Sequence, residues 1–512
     1  MKKIFSIVLF FISTGNCFAQ QVTFQKTFGG TDLDYGNSVQ QTTDGGYIIA
    51  GWTYSYGAGS GDVYLIKTDA FGDTLWTKTF GGVYDDRGYS VQQTTDGGYI
   101  IAGYTTFFVV NYYDVYLIKT DANGNLLWAK SYGGSTLGGD VGYSVKQTAD
   151  GGYIISGRTY SFGGGGNIYL IKTDANGDSL WTKTLDEDKG WSCQQTTDGG
   201  YIITGSFGNS NDVYLIKTDT NGNSVWTKNY GGIFTDYGYS VLQTSDGGYI
   251  ISGETNSFSA GDRDAYLIKT DTIGNMLWSK TFGGTGDDSG WFVQQTIDGG
   301  YIITGTCGIT NKVYLFKTDV NGDSLWTRTI GTVSSSGYSV QQTTDGGYII
   351  AGVNSDWFSN PYDVYLIKTD SNGNSGCNEV NYTTFITTPS TQVTSPATIV
   401  SSPATIVTTP ATIVGNGGTV TTLCTTVDIP SIMSNPSSEI SISPNPTTNN
   451  FTITFPNTIN KGSIEIYNVL GKKIFNENVL NVSQKEIHLK NIDAGIYFVK
   501  VRYGENEYCE KL

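Results

Sequence analysis

The sequence predicts an all-β protein whose main body is seven copies of one small sheet. Three observations predict it. The hexapeptide DGGYII occurs seven times, starting at Asp44, Asp96, Asp150, Asp198, Asp246, Asp298 and Asp345, 47 to 54 residues apart. Gly, Thr, Ser and Tyr are abundant while helix-favouring Ala, Lys and Glu are sparse, a composition that suits pleated strands. Asp-Gly and Asn-Gly pairs recur in the units, and these dipeptides tolerate positive φ and build tight hairpins.

The unit that begins at Gly88 shows each element in turn. It holds four short runs, 89–94, 99–105, 115–120 and 126–132. Asp96-Gly97 separates the first two, and Asn123-Gly124 the last two. The second and third runs, YIIAG and VYLIK, are apolar on consecutive positions, as in a strand covered on both faces. The fourth run ends in polar residues, Thr77, Lys78 and Thr79 in the preceding copy, as an outer strand does. A sheet covered on both faces and repeated about every 50 residues needs identical sheets beside it, and blades stacked around an axis supply them. The expected architecture is a seven-bladed β-propeller of four-stranded blades over 20–376.

The ends of the repeat array predict how the ring closes. Trp76, Trp128, Trp181, Trp226, Trp278 and Trp326 mark the fourth run in six units, but the seventh passes from Asp370 into SNGNSGC with no Trp and no fourth run. VTFQKTFGG at 22–30 aligns with LWTKTFGG at 75–82, with Phe24 in the Trp place. The N-terminal strand is therefore expected to complete the last blade, leaving no open sheet edge between first and last units. The repeated Trp is expected to pack between blades.

Residues 1–19 read as a secretory signal peptide: Lys2 and Lys3, an apolar run from Ile4 to Ile12, then Cys17-Phe18-Ala19. That run is too short to span a bilayer, and no other segment approaches a span. Residues 377–438 form a Ser/Thr/Pro-rich linker in which SPATIV, SPATIV and TPATIV begin at Ser395, Ser402 and Thr409, a seven-residue period. Three readings stay open: an extended, semi-rigid stalk, an ordinary linker, or short strands adding to a neighbouring sheet. Cys377 and Cys424 bracket the stretch and are candidates for a disulfide in an oxidising compartment.

The last segment, 439–512, carries SISPNP at 441–446, FTITF at 451–455, IEIYNVLGKKIF at 464–475 and LKNIDAGIYFVKV at 489–501. It resembles the type A C-terminal sorting domain of the type IX (Por) secretion system, with Pro444, Asn445, Pro446, Gly471, Gly495 and Tyr497 on the family pattern. The resemblance implies a small β-sandwich, contact with the type IX machinery, and delivery across the outer membrane with release or surface attachment. The repeats resemble the seven-bladed type found in large secreted bacterial proteins, which implies a scaffold and no specific chemistry.

Composition narrows the function. A formal charge of −16 argues against nucleic-acid binding by phosphate neutralisation. The one histidine, His488, lies in the C-terminal domain, so the propeller has no imidazole base for a triad and no His-based metal site. No pair of cysteines has zinc-site spacing, and no phosphate-binding glycine motif opens a helix. No cofactor is expected. The favoured reading is a binding or structural propeller with a carbohydrate or protein ligand. The alternative is a carbohydrate-active hydrolase using carboxylates gathered from several blades.

The two faces of the disc are written differently. The turns joining first to second and third to fourth runs are nearly constant, whereas the 2–3 and 4–1 loops diverge and carry aromatic and acidic residues. Variable loops on a repeated scaffold are where recognition is usually placed. The expected ligand face holds Tyr112, Tyr113 and Trp357 from 2–3 loops and Asp85, Asp86, Asp287 and Asp288 from 4–1 loops.

Overall fold

The computed structural model describes residues 22–511, apart from 107–112, 135–137, 164, 186–188, 207–211, 333, 356–361, 396–399, 402–405, 409–411, 428–439, 444–449, 469–472, 490–496 and 505. Seven antiparallel sheets carry the repeats, each formed from four strands in meander order. In the second blade these are Asp86–Gln93, Tyr99–Thr106, Tyr113–Thr120 and Leu126–Gly133. The seventh blade takes Ser335–Gln342, Tyr348–Asn354 and Asp363–Thr369 and is completed by the N-terminal strand Val22–Gly29, with Phe24 opposite Lys368.

The apolar second and third runs are buried along their whole length, as in Tyr47–Thr53 and Asp62–Thr68. Blade contacts repeat sevenfold. Each fourth-strand ring approaches the Tyr of the next blade's DGGYII: Trp76 lies 6.0 Å from Tyr99, Trp226 5.8 Å from Tyr249, and Phe24 takes the same place 6.1 Å from Tyr47. The same rings cover the glycine of the neighbouring 3–4 turn. At Gly124, where φ is +75°, an added Cβ would lie 2.7 Å from Trp76. A closed circle of polar bonds runs along the 1–2 turns, each turn N–H donating to the Gln side chain of the next blade. It goes from Thr43 to Gln93 and returns from Thr344 to Gln41 at 2.9 Å.

The linker segment departs from a stalk. Its short strands add a fifth strand to every blade, travelling backwards around the ring. Glu379–Asn381 pairs with the sixth blade, Phe385–Thr387 with the fifth and Gln392–Thr394 with the fourth. Val400–Ser401, Ile406–Thr408 and Ile413–Gly415 follow on the third, second and first, and Thr419–Val427 pairs beside the N-terminal strand on the seventh. The seven-residue period is the step from one outer edge to the next, since seven extended residues span at most about 25 Å. Third-strand tyrosines fasten the belt: the hydroxyl of Tyr266 meets Thr391 at 2.5 Å, Tyr314 meets Thr384 at 2.5 Å, and Tyr64 donates to the Gly417 carbonyl at 3.2 Å. Cys377 and Cys424 are disulfide-bonded with Cα atoms 6.3 Å apart. The propeller unit therefore runs from Val22 to Thr426.

The second unit is a small all-β domain. A long hairpin of Asn450–Asn468 and Lys473–His488 is flanked by Ser441–Ser443 near one end and by Tyr497–Tyr503 and Asn506–Lys511 at the other. Alternate residues Phe451 and Ile453, Ile464 and Ile466, and Val499 and Val501 fill its core.

Candidate functional site

The first strand of each blade lines a central channel, and every one of these strands is bulged at the same place. In the second blade the register jumps from Gly88 to Ser90 and leaves Tyr89 unpaired. An inserted residue bends a strand and re-aims a side chain. The glycine opposite is required: a Cβ at Gly103 would sit 1.7 Å from the Arg87 carbonyl oxygen.

The bulged residue lines the channel in all seven blades, and in six it is aromatic: Tyr89, Tyr143, Trp191, Tyr239, Trp291 and Tyr338. Their ring centroids follow one another at 5.5, 4.5, 5.7, 4.4 and 6.3 Å, an arc that Asn37 completes. Each inner strand runs from the 4–1 loop toward the Asp-Gly turn, so this collar lies toward the variable-loop face. Deeper along the strands come serines such as Ser38 and Ser90, whose hydroxyls accept the N–H of Val91 and Val145 in the next blade, both at 3.2 Å. The channel encloses about 500 Å³.

The loop residues picked from sequence divide into two groups. Tyr113 lies 4.8 Å from Tyr104, which in turn is 6.1 Å from the collar residue Tyr89. Asp85 is paired with Arg87 at 3.0 Å and accepts the Tyr104 hydroxyl, while Arg87 covers the Trp52 ring at 4.2 Å. Asp287 pairs with Arg263 at 3.2 Å. Tyr112 and Trp357 lie outside the described residues, as do Pro444, Asn445, Pro446, Gly471 and Gly495 of the sorting motif; Tyr497 opens a strand and packs against the C-terminal core.

Asp86 and Asp288 are fully buried loop caps. Asp86 accepts the Gly82 N–H at 2.7 Å, and Asp288 the Gly284 N–H at 2.7 Å. Across these two blade interfaces a second buried Asp faces the cap: Asp62 faces Asp86, and Asp264 faces Asp288. An added Cβ on Gly81 would meet Asp62 Oδ1 at 1.8 Å and Asp86 Oδ2 at 2.6 Å, which places both carboxylates against one glycine. Burial pushes Asp86 up to about 7, with the Asp62 carboxylate raising it further, and pushes Asp62 up to about 6, with Asp85 raising it further. These acids hold the loops together and do not line the channel. Cys193 and Cys307 are buried thiols, both pushed up by burial. Among the described residues no group of three or more His, Cys, Asp or Glu is arranged to hold a metal ion.

The sequence reading missed the aromatic collar. Its signal was present, since the residue after the repeated glycine in GYSV and its variants is aromatic in six units of seven. That position reads as one more strand residue until the bulge is seen.

Comparison with known proteins adds the remaining fact, for residues 441–512 match one family. They are a secretion system C-terminal sorting domain. The sorting domain implies export by the type IX system, contact with its machinery, and secretion or attachment at the cell surface. No curated protein sequence matches the chain. The chain is also similar to the crystal structure of a protein of unknown function from Dyadobacter fermentans, with 10% identity over 68% of this chain and 98% of that one, at a TM-score of 0.38.

Proposed function

We propose that this exported propeller is a non-catalytic carbohydrate-binding protein that takes its ligand at the mouth of the central channel. The observation that carries the proposal is the arc of six aromatic residues, each set on a bulge in an inner strand. Aromatic faces complement the flat C–H faces of sugar rings, and a concave, largely apolar site with a few polar groups is the usual form of a small-ligand pocket. The channel volume of about 500 Å³ suits one or two sugar rings. A binding role is favoured over hydrolysis because the channel-lining residues include no Asp or Glu, and the carboxylates of Asp85 and Asp287 are held by arginines.

Titration of the purified propeller with soluble polysaccharides, followed by tryptophan emission and calorimetry, tests this. Binding is expected, with no release of reducing sugar, and the double variant Trp191→Ala, Trp291→Ala is expected to weaken it by at least about tenfold. Binding that survives the double variant places the site elsewhere. Release of reducing ends supports a hydrolase instead.

A further inference from the structure

Beneath the collar the channel presents hydrogen-bond donors. At the next lining tier stand Gln40, Gln92, Gln194, Gln294 and Gln341, with Lys146 in the same place in the third blade. Each glutamine Oε1 is already taken by a backbone N–H of the following blade: Gln93 N to Gln40 at 2.6 Å, Gln147 N to Gln92 at 2.7 Å, Gln243 N to Gln194 at 2.9 Å, Gln342 N to Gln294 at 2.6 Å and Gln41 N to Gln341 at 2.5 Å. A backbone N–H can only donate, so these bonds fix the orientation of every amide. Five Nε2 groups are left without an acceptor among the described residues, beside an ammonium with no carboxylate partner there. In a chain of net charge −16 the channel lining holds no Asp or Glu. Burial disfavours the charged form of Lys146 and pushes it below its ordinary value, so an anion bound beside it would favour the ammonium.

We propose that this tier is an anion-binding floor and that the sugar held by the collar is an acidic one, whose carboxylate or sulfate reaches Lys146 and the glutamine amides. This rests on the channel mouth being the sugar site. Charge-assisted hydrogen bonds are about twice as strong as neutral ones, so the floor selects acidic over neutral sugars of the same shape. The selection comes from one tier and the stacking from the other.

The test compares a glucuronate disaccharide, a sulfated disaccharide, their neutral counterpart, inorganic sulfate and a short peptide with a free C-terminal carboxylate. Each is titrated by calorimetry into the wild-type propeller, Lys146→Gln and Trp191→Ala. Lys146→Gln inserts the residue that five other blades carry at this tier, so the variant is expected to fold. The acidic disaccharides are expected to bind at least about tenfold more tightly than the neutral one, with Lys146→Gln erasing the difference and leaving neutral-sugar binding intact. The ratio between the two acidic disaccharides tells carboxylate from sulfate. Equal binding of acidic and neutral sugars, unchanged in Lys146→Gln, overturns the anion floor while the sugar site stands. Sulfate or the peptide binding as well as the acidic sugars overturns the choice of a sugar. Loss of all sugar binding in wild type overturns both readings.

Discussion

Cys377 and Cys424 are joined across 47 positions of sequence, and the chain between them pairs with the outer edge of six blades before reaching the seventh. The bond ties the start of the belt to its end. In the chain-entropy description, closing a loop of this length restricts the unfolded chain by about 4 kcal/mol at most. Replacing both cysteines by serine is expected to lower stability by up to that amount. Limited proteolysis should then cut within the belt, 379–427, before the DGGYII repeats. Equal resistance of the belt in the oxidised and serine forms would show that strand pairing alone holds it.

Lys119 and Asp96 explain part of why the hexapeptide is repeated. The ammonium, almost wholly buried, lies 2.9 Å from Asp96 Oδ2, and Asp96 also accepts the Gly98 N–H at 2.9 Å and the Thr94 hydroxyl at 2.5 Å. Burial raises the Asp96 carboxyl, but the bonds from Thr94, Lys119 and Gly98 outweigh it and hold the group at about 2. The same Lys–Asp pair recurs in every blade, as in Lys67 with Asp44 and Lys368 with Asp345. Asp96→Ala leaves the buried ammonium with the Thr120 carbonyl alone. It is expected to cost about 1–3 kcal/mol in urea unfolding, whereas a substitution at the neighbouring exposed Thr95 should be near neutral.

The facing acids predict a pH dependence of the opposite sign. Asp62, Asp114, Asp264 and Asp363 are each pushed up to about 6 by burial, and Asp86 to about 7. An unfolded Asp titrates near 3.9, so the folded state binds the extra protons and their contribution is fully present only below that value. Stability is therefore expected to fall as pH rises from about 4 through 7, by on the order of 1–3 kcal/mol for each pair. Asp62→Asn should flatten the decline, since the third blade already carries Asn167 at the equivalent position. Melting temperatures from pH 4 to 8 in both proteins check this; a wild-type curve that is flat or rises over that range contradicts it.

Gly103→Ala is expected to be severe. The new Cβ would lie 1.7 Å from the Arg87 carbonyl oxygen, a backbone atom that cannot swing aside. The inner strand would have to lose its bulge or leave the sheet, at a cost of about 3 kcal/mol or more. An added Cβ at Gly97 meets nothing within 4 Å, but φ there is +84°, so Gly97→Ala is expected to cost only the backbone strain, about 1 kcal/mol. Unfolding midpoints of the two variants decide whether crowding or backbone conformation dominates.

The sequence by itself determined the propeller. Repeated hairpin turns, doubly buried central runs and a stray first strand that matches the missing last one leave few other ways to cover each sheet, because those signals are local and periodic. It also determined the export route, through a motif in the last 72 residues. Tertiary structure decided where Thr-Ile-Val in the linker goes. An edge strand is held by backbone bonds to another sheet, and a composition of Ser, Thr and Pro does not say which edge is near. Tertiary structure also decided the site. Tyr89, Trp191 and Trp291 read as ordinary strand residues until a bulge one position wide turns them into a shared lumen, and Lys146 gains meaning only beside glutamines drawn from five other blades. Convergence of residues about 50 apart is a property of the closed ring, and no window along the chain contains it.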